Sequence, residues 1–120
     1  MGPFKDGWTK EEVDAVIEHG NPDELLYVPI VVSMDPPDCV WAEAICSRLS
    51  THDNPAVRGN SVLGFGHLAR TCSKLNRDIA YPIIVAALSD PDPDVRSQAQ
   101  IAVDDTAHFL GWRFPEVEAN

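Results

Sequence analysis

The feature that most limits how this chain folds is a repeated segment. Residues 54–58 read Asn-Pro-Ala-Val-Arg, and residues 92–96, which lie 38 residues later, read Asp-Pro-Asp-Val-Arg. A fainter copy begins with Asn-Pro at residues 21–22. At the 38-residue offset small and apolar residues also coincide at helical spacing: Ser61 with Ala99, Gly64 with Ala102, Phe65 with Val103, Leu68 with Thr106, and Ala69 with Ala107. A period of this length is typical of stacked helical units, each too small to bury its apolar face alone.

The repeated Asn/Asp-Pro pairs mark helix starts. An Asn or Asp side chain caps the free N–H groups of the first turn, and proline fits there because its missing N–H has no intrahelical partner. The pairs are Asn21-Pro22, Asn54-Pro55 and Asp92-Pro93, and a shorter apolar helix precedes each. Pro29, inside the second helix of the first unit, predicts a kink near Tyr27. The sequence therefore predicts an all-α single domain, residues 1–120, of three helix pairs over about 9–34, 38–73 and 77–112.

Residues 39–50 are predicted to form a further helix. Its apolar spacing predicts that Val40, Ala44 and Ile45 point into the core.

The motif at the start of the second helices resembles HEAT repeats, in which a turn rich in Asp and Pro is followed by Val-Arg. Residues 53–58 and 92–96 match, whereas residues 21–26 lack the Val-Arg. The resemblance covers about Lys10 to Trp112 and implies a short right-handed α-solenoid. It also implies that Arg58 and Arg96 pair with the turn aspartates, for which Asp53, Asp90 and Asp92 are available. On that basis we expect Arg96→Ala to lower the free energy of unfolding by about 1–3 kcal/mol, because its partner loses a hydrogen bond.

Three of the seven glycines lie between residues 52 and 70, in a segment that superficially resembles a phosphate-binding loop. Such a loop places its glycines before a helix and usually supplies a Gly-Lys-Ser/Thr sequence. This segment contains no lysine, and its glycines fall inside a predicted helix. Gly64 corresponds to Ala102 in the other copy, so we interpret it as a site where a neighbouring helix approaches closely.

The charge of the chain restricts its partners. Nineteen Asp and Glu residues against nine Lys and Arg give a net charge of -10. Such a surface repels nucleic-acid phosphates and anionic lipids and attracts basic proteins. No apolar run approaches the roughly 20 residues that a membrane span requires. We therefore predict one basic protein partner and no nucleic-acid or membrane partner, with a monomer favoured.

The three cysteines, Cys39, Cys46 and Cys72, give no disulfide framework by themselves. Cys39 and Cys46 fall on one predicted helix, where seven residues rise roughly 10 Å, which is too far for a disulfide. An odd count without a Cys-x-x-Cys motif favours reduced, mostly buried thiols and a reducing compartment. The residues at the amino terminus contain no apolar signal segment, so we expect a cytoplasmic protein.

Projecting the repeat offsets onto the second helices predicts a shared polar stripe on the concave surface of the stack. Stacked helix pairs create one extended face and no deep pocket, so a partner is expected to bind there. The predicted partner-binding residues are Asp23, Tyr27, Asn60, His67, Gln98, Asp104, Asp105 and His108.

Part of this stripe also allows a metal-binding interpretation. Asp104 and His108 are four residues apart on one helix, Asp105 lies three residues before His108, and His67 follows from the repeat offset. These side chains are candidate metal ligands for a metal-dependent hydrolase, but the sequence has no HExxH motif and no dense acidic cluster. An Asp–His hydrogen bond on an exposed ridge explains the same spacing, so we predict no metal, no cofactor and no catalytic residue.

In size, charge and repeat architecture the chain looks like the small bacterial immunity proteins that neutralise toxins of contact-dependent growth inhibition systems. That resemblance implies an inhibitor that presents carboxylates where the phosphates of a nuclease substrate would lie. The alternatives are a general HEAT-type adaptor or phycobilin-lyase-like scaffold domain and, third, the metal-dependent hydrolase. An inhibitor binds one basic partner tightly and with salt-sensitive association, an adaptor binds several weakly, and an enzyme binds metal stoichiometrically.

Overall fold

The computed structural model of the protein describes residues 1–5 and 7–118, and in this part of the chain all regular structure is helical. The all-α prediction is therefore confirmed. The helices are α1 (Lys10–His19), α2 (Pro22–Leu25), α3 (Val28–Met34), α4 (Cys39–Leu49), α5 (Pro55–Thr71), α6 (Arg77–Ala87), α7 (Pro93–Leu110) and α8 (Pro115–Glu118). The kink predicted near Tyr27 takes the form of a break, because α2 ends at Leu25 and α3 begins at Val28 with Pro29 in its first turn.

Helix α5 lies between α3 and α7 and packs on both. Hydrogen bonds join Asn60 to Leu26 on one side and to Gln98 on the other. Further along α5, His67 and Thr71 contact Ser33 of α3, so the three helices run in the same direction. A third side of α5 packs against α4 and α6 and directs Phe65 and Leu68 into the core, where neither side chain is more than 1% exposed.

The glycines of α5 lie where neighbouring helices approach it. A Cβ atom on Gly64 would lie 2.7 Å from the buried Sγ of Cys46 in α4 and 3.5 Å from the carbonyl oxygen of Pro29. On the other side of α5, Gly59 and Gly66 face Gln98 and Asp105 of α7. Because α5 packs against neighbouring helices on three sides, it tolerates helix-weakening glycines where those helices come close.

The turns that precede α5 and α7 make the same hydrogen bonds. The side chain of Asn54 accepts from the N–H groups of Ala56 and Val57, and that of Asp92 accepts from the equivalent groups of Asp94 and Val95. Arg58 donates to the carbonyl oxygens five and six residues before it, and Arg96 repeats this pattern. The sequence repeat is thus also a repeat of local structure.

The two arginines differ in their side-chain partners. Arg58 reaches the next turn and binds both carboxylate oxygens of Asp90, at 2.7 and 2.9 Å. This pair links α5 to the turn between α6 and α7. Arg96 is exposed, and its hydrogen bonds go to the backbone of residues 90 and 91 rather than to an aspartate side chain. The predicted ion pair of Arg96 with a turn aspartate is therefore wrong, because the carboxylate of Asp90, whose backbone Arg96 contacts, is bound through both oxygens to Arg58.

The prediction of three reduced thiols is also wrong. Cys39 and Cys72 form a disulfide, and only Cys46 is a free, buried thiol. Cys39 is the first residue of α4, and Cys72 directly follows α5. Because α4 and α5 pack antiparallel, the start of one lies beside the end of the other, a pairing that spacing within a single helix does not reveal.

The predicted inward face of α4 is wrong for Val40 and Ala44 and correct for Ile45. Val40 is 72% exposed and Ala44 is also exposed, whereas Ala42, Ile45, Cys46 and Leu49 are buried. The apolar residues of α4 surround most of the helix, so the pattern did not define its orientation.

Candidate protein-binding face

Three parallel helical segments present their outer sides on one surface of the molecule. On α5, which has neighbours on both flanks, the outward residues are spaced three or four apart, and adding 38 gives the corresponding residues of α7. We define the three-helix face as these positions together with those of α2 and α3: Asp23, Tyr27, Ile30, Met34, Ala56, Asn60, Leu63, His67, Arg70, Asp94, Gln98, Ile101, Asp105 and His108. None of these residues is buried.

The structure brings most of the predicted stripe onto this face, but with unequal exposure. Asp23 and His108 are exposed near its ends, and Tyr27 and Asp105 are half-buried. Asp104 is exposed beside the face, on the outer edge of α7, where its carboxylate accepts a hydrogen bond from Gln100.

Two of the predicted residues hold helices together. The Nε2 of Gln98 donates to the Oδ1 of Asn60 at 2.7 Å, and the Nδ2 of Asn60 donates to the carbonyl oxygen of Leu26 at 2.8 Å. This chain of hydrogen bonds crosses from α7 through α5 to the end of α2. Because these amide groups are already hydrogen-bonded, they hold the helices of the face in position and are less available to a partner.

His67 lies at the junction of α3 and α5. Its Nδ1 is 3.0 Å from the Oγ of Ser33, whose hydroxyl also donates to the carbonyl oxygen of Ile30. Burial lowers the pKa of His67, and the charge of Arg70 lowers it further, while Asp105 opposes the shift. The imidazole is therefore held in its neutral form more strongly in the folded than in the unfolded protein.

This shift predicts that acidification destabilises the fold through His67. When the pKa of a histidine is lower in the folded state, the unfolded state binds more protons, and stability falls as the pH drops below the ordinary value of about 6.5. We expect His67→Gln to lose less stability than the parent protein between pH 7.5 and pH 5.5, as measured by urea unfolding. His19→Gln, at the exposed end of α1, is the matched control for the replacement of a histidine. Equal slopes for all three proteins would contradict the assignment.

Negative charge dominates the face. It carries the carboxylates of Asp23, Asp94 and Asp105, with Asp104 beside them, and Arg70 is the single Lys or Arg among the residues that define it. A shallow hollow of about 470 Å³ between the first turns of α5 and α7 includes Asp94 and Gln98 in its lining. A broad acidic surface with shallow relief suits a basic protein rather than a small substrate.

The apolar residues of this face were not among those predicted from the sequence. Ile30, Leu63 and Ile101 occupy equivalent positions on the three helices, and Ile101 is 46% exposed. Met34, one turn beyond Ile30, is 50% exposed. The repeat offset pairs Leu63 with Ile101, and this pairing is the sequence signal for the apolar part of the face.

The metal-binding interpretation gains no support from the geometry. Among residues 1–5 and 7–118, no three His, Cys, Asp or Glu side chains come together as a group that could hold an ion. Asp104 and Asp105 diverge around α7, towards its outer edge and towards Gly66 respectively.

None of the helices described is both long and apolar enough to cross a membrane.

No protein-family model matches the sequence, and no curated protein matches it. Among solved structures, the fold is similar to a chain in the crystal structure of a CDI complex from Cupriavidus taiwanensis LMG 19424. The two chains are 25% identical and superpose with a TM-score of 0.73, over 85% of this chain and 90% of that chain. Because the match covers most of both chains, it concerns the whole helical arrangement and not a local motif.

Proposed function

We propose that the chain is an immunity protein that binds and neutralises a cognate toxin of a contact-dependent growth inhibition (CDI) system. The observation that carries the proposal is the similarity, at 25% identity and over most of both chains, to a component of a CDI complex. The broad acidic face and the net charge of -10 are consistent with a protein ligand of opposite charge. The proposal makes the chain an inhibitor rather than an enzyme, with no cofactor.

The proposal includes the HEAT-type architecture implied by the sequence. Three stacked helix pairs, over residues 9–34, 38–73 and 77–112, would form a short right-handed solenoid. The parallel packing of α3, α5 and α7 and the recurrence of the same turn hydrogen bonds before α5 and α7 support it. The three-helix face would then be the concave surface of the solenoid.

In this proposal carboxylates of the inhibitor take the place of the phosphates of the toxin's substrate. A nuclease binds its substrate through basic side chains that contact phosphates. Carboxylates such as Asp94 and Asp105 would occupy those side chains and block the substrate channel. The inhibitor would act in the cytoplasm, where such a toxin meets nucleic acid, and as a monomer.

The first experiment identifies the partner. The tagged chain is used to capture proteins from the cells that encode it, with washes of rising salt and identification by mass spectrometry. We expect one basic protein, retained stoichiometrically, that arrests growth when it is expressed alone. Co-expression of this chain should restore growth and, for a nuclease, protect nucleic acid from degradation. A partner whose toxicity is unaffected, or several weak partners lost at moderate salt, would overturn the proposal and favour an adaptor.

A matched pair of charge reversals tests whether this face is used. Asp94 and Asp78 are both exposed, and each is the second residue of its helix, so Lys at either position disturbs the helix terminus equally. Only Asp94 lies on the three-helix face. We expect Asp94→Lys to slow association with the captured toxin severalfold at low salt, and Asp78→Lys to slow it less, because long-range attraction sets the association rate. Equal rates for the two variants would place the interface elsewhere.

A further inference from the structure

A row of apolar side chains crosses the three-helix face. Ile30 of α3, Leu63 of α5 and Ile101 of α7 occupy equivalent positions, with Leu63 in the centre. Ile30 and Leu63 are half-buried, and Ile101 is 46% exposed. The hydrogen-bonded pair Asn60 and Gln98 lies one turn to one side of the row, and His67 and Asp105 lie one turn to the other.

The spacing of the row follows from helix packing. Neighbouring helices pack about 8–10 Å apart, so the three side chains span about 16–20 Å perpendicular to the helix axes. Gly59 and Gly66 lie at the contact between α5 and α7. Residues seven apart on an α-helix lie on the same side and about 10.5 Å apart along its axis. A helix laid across the face therefore presents successive apolar side chains at nearly the interval of the row.

The charges beside the row define the flanks of such a helix. Asp23 and Asp94 lie on the side of the helix N-termini. Asp105 lies one turn from the row on the other side, with Arg70 and His108 one turn further away. A helix that places Lys or Arg on both sides of an apolar stripe would match these carboxylates while burying Leu63 and its neighbours. Apolar anchoring with a charged rim is also the usual arrangement of a helix bound in a groove.

We propose that the row of Ile30, Leu63 and Ile101 docks an amphipathic helix of the partner, with apolar residues two turns apart and basic residues on its flanks. The proposal rests on the proposed function for the identity of the partner as a toxin. The row would bind any helix with this pattern of apolar and basic side chains. A synthetic peptide with that pattern therefore tests the docking without the toxin.

The probe is a peptide of about 21 residues, which as a helix is about 30 Å long and spans the face. It has leucine at every seventh position, lysine beside the leucines and alanine elsewhere. Binding of the labelled peptide is followed by fluorescence anisotropy for the parent protein and two variants. Ile101→Ser removes an apolar side chain from the row, and Ile79→Ser is its matched control, because Ile79 is 40% exposed on α6, away from the face. We expect Ile101→Ser to raise Kd about tenfold, the equivalent of about 1.4 kcal/mol, and Ile79→Ser to leave it unchanged.

Two control peptides separate the contributions. Replacing leucine with alanine should weaken binding, and replacing lysine with glutamate should abolish it. Failure of the leucine–lysine peptide to bind, or equal effects of the two isoleucine variants, would overturn the docking proposal. Toxin neutralisation without peptide binding would leave the immunity function in place and exclude this mode of docking. Peptide binding through the row without a neutralised toxin would leave the surface in place and refute the immunity function.

Discussion

Replacing Cys39 and Cys72 with serine is expected to lower the free energy of unfolding by about 3–4 kcal/mol. The disulfide joins residues 33 apart in sequence. Closing a loop of that length lowers the entropy of the unfolded chain, which corresponds to a free energy of about this size at 25 °C. The native helices should persist, because the core around Phe65 and Leu68 does not include either sulfur. Urea unfolding of the double variant, compared with the oxidised parent protein, measures the effect. In a reducing cytoplasm the parent protein would lose the same stabilisation.

Reduction of the parent protein provides the control for this prediction. Treatment with a thiol reductant should reproduce the stability of the double variant, and it should not change the variant itself. Cys46 should remain unreactive in the folded state, because complete burial raises the pKa of its thiol to about 12. In unfolded, unreduced protein one thiol should react with a thiol reagent. Three reactive thiols in that sample would refute the disulfide.

Arg58→Ala is expected to lower the free energy of unfolding by about 1–3 kcal/mol, and Arg96→Ala by less than about 1 kcal/mol. Both guanidinium groups hydrogen-bond to the carbonyl oxygens that precede their helices. Only Arg58 binds a second helix pair, through both oxygens of Asp90, whose side chain is 10% exposed. Removing Arg58 leaves that carboxylate partly buried without its cation. The loss of stability that the sequence predicted for Arg96→Ala is therefore expected for Arg58→Ala instead.

The pH dependence of stability distinguishes the ion pair from simple loss of packing. The hydrogen bond from Arg58 holds the pKa of Asp90 below its ordinary value. The stabilisation is therefore complete above the ordinary carboxyl pKa and is lost as the pH falls through the lowered one. We expect the stabilities of the parent protein and Arg58→Ala to converge on acidification, whereas the gap between the parent and Arg96→Ala should narrow much less, because the charge of Arg96 is the smallest of the interactions that lower the pKa of Asp90. A constant gap for Arg58→Ala from pH 7 to pH 2 would contradict the ion-pair explanation.

The sequence was sufficient for features that depend on neighbouring residues. Asn54 and Asp92 cap helices because their side chains need only reach N–H groups two and three residues away. The 38-residue offset aligned α5 with α7 because one local pattern produces one local structure. The same projection, applied to apolar as well as polar positions, would have identified Leu63 and Ile101 together.

Tertiary structure alone decided the features that depend on how the helices lie against one another. The antiparallel packing of α4 on α5 brought Cys39 to Cys72, and it turned Val40 outwards although the helix is apolar on most sides. The packing of α5 beside the turn before α7 gave Arg58 the carboxylate of Asp90, whereas Arg96 hydrogen-bonds to backbone carbonyl oxygens. Sequence periodicity specifies which residues share one face of a helix. Which neighbour covers that face, and whether there is a neighbour at all, is set by packing between segments far apart in the chain.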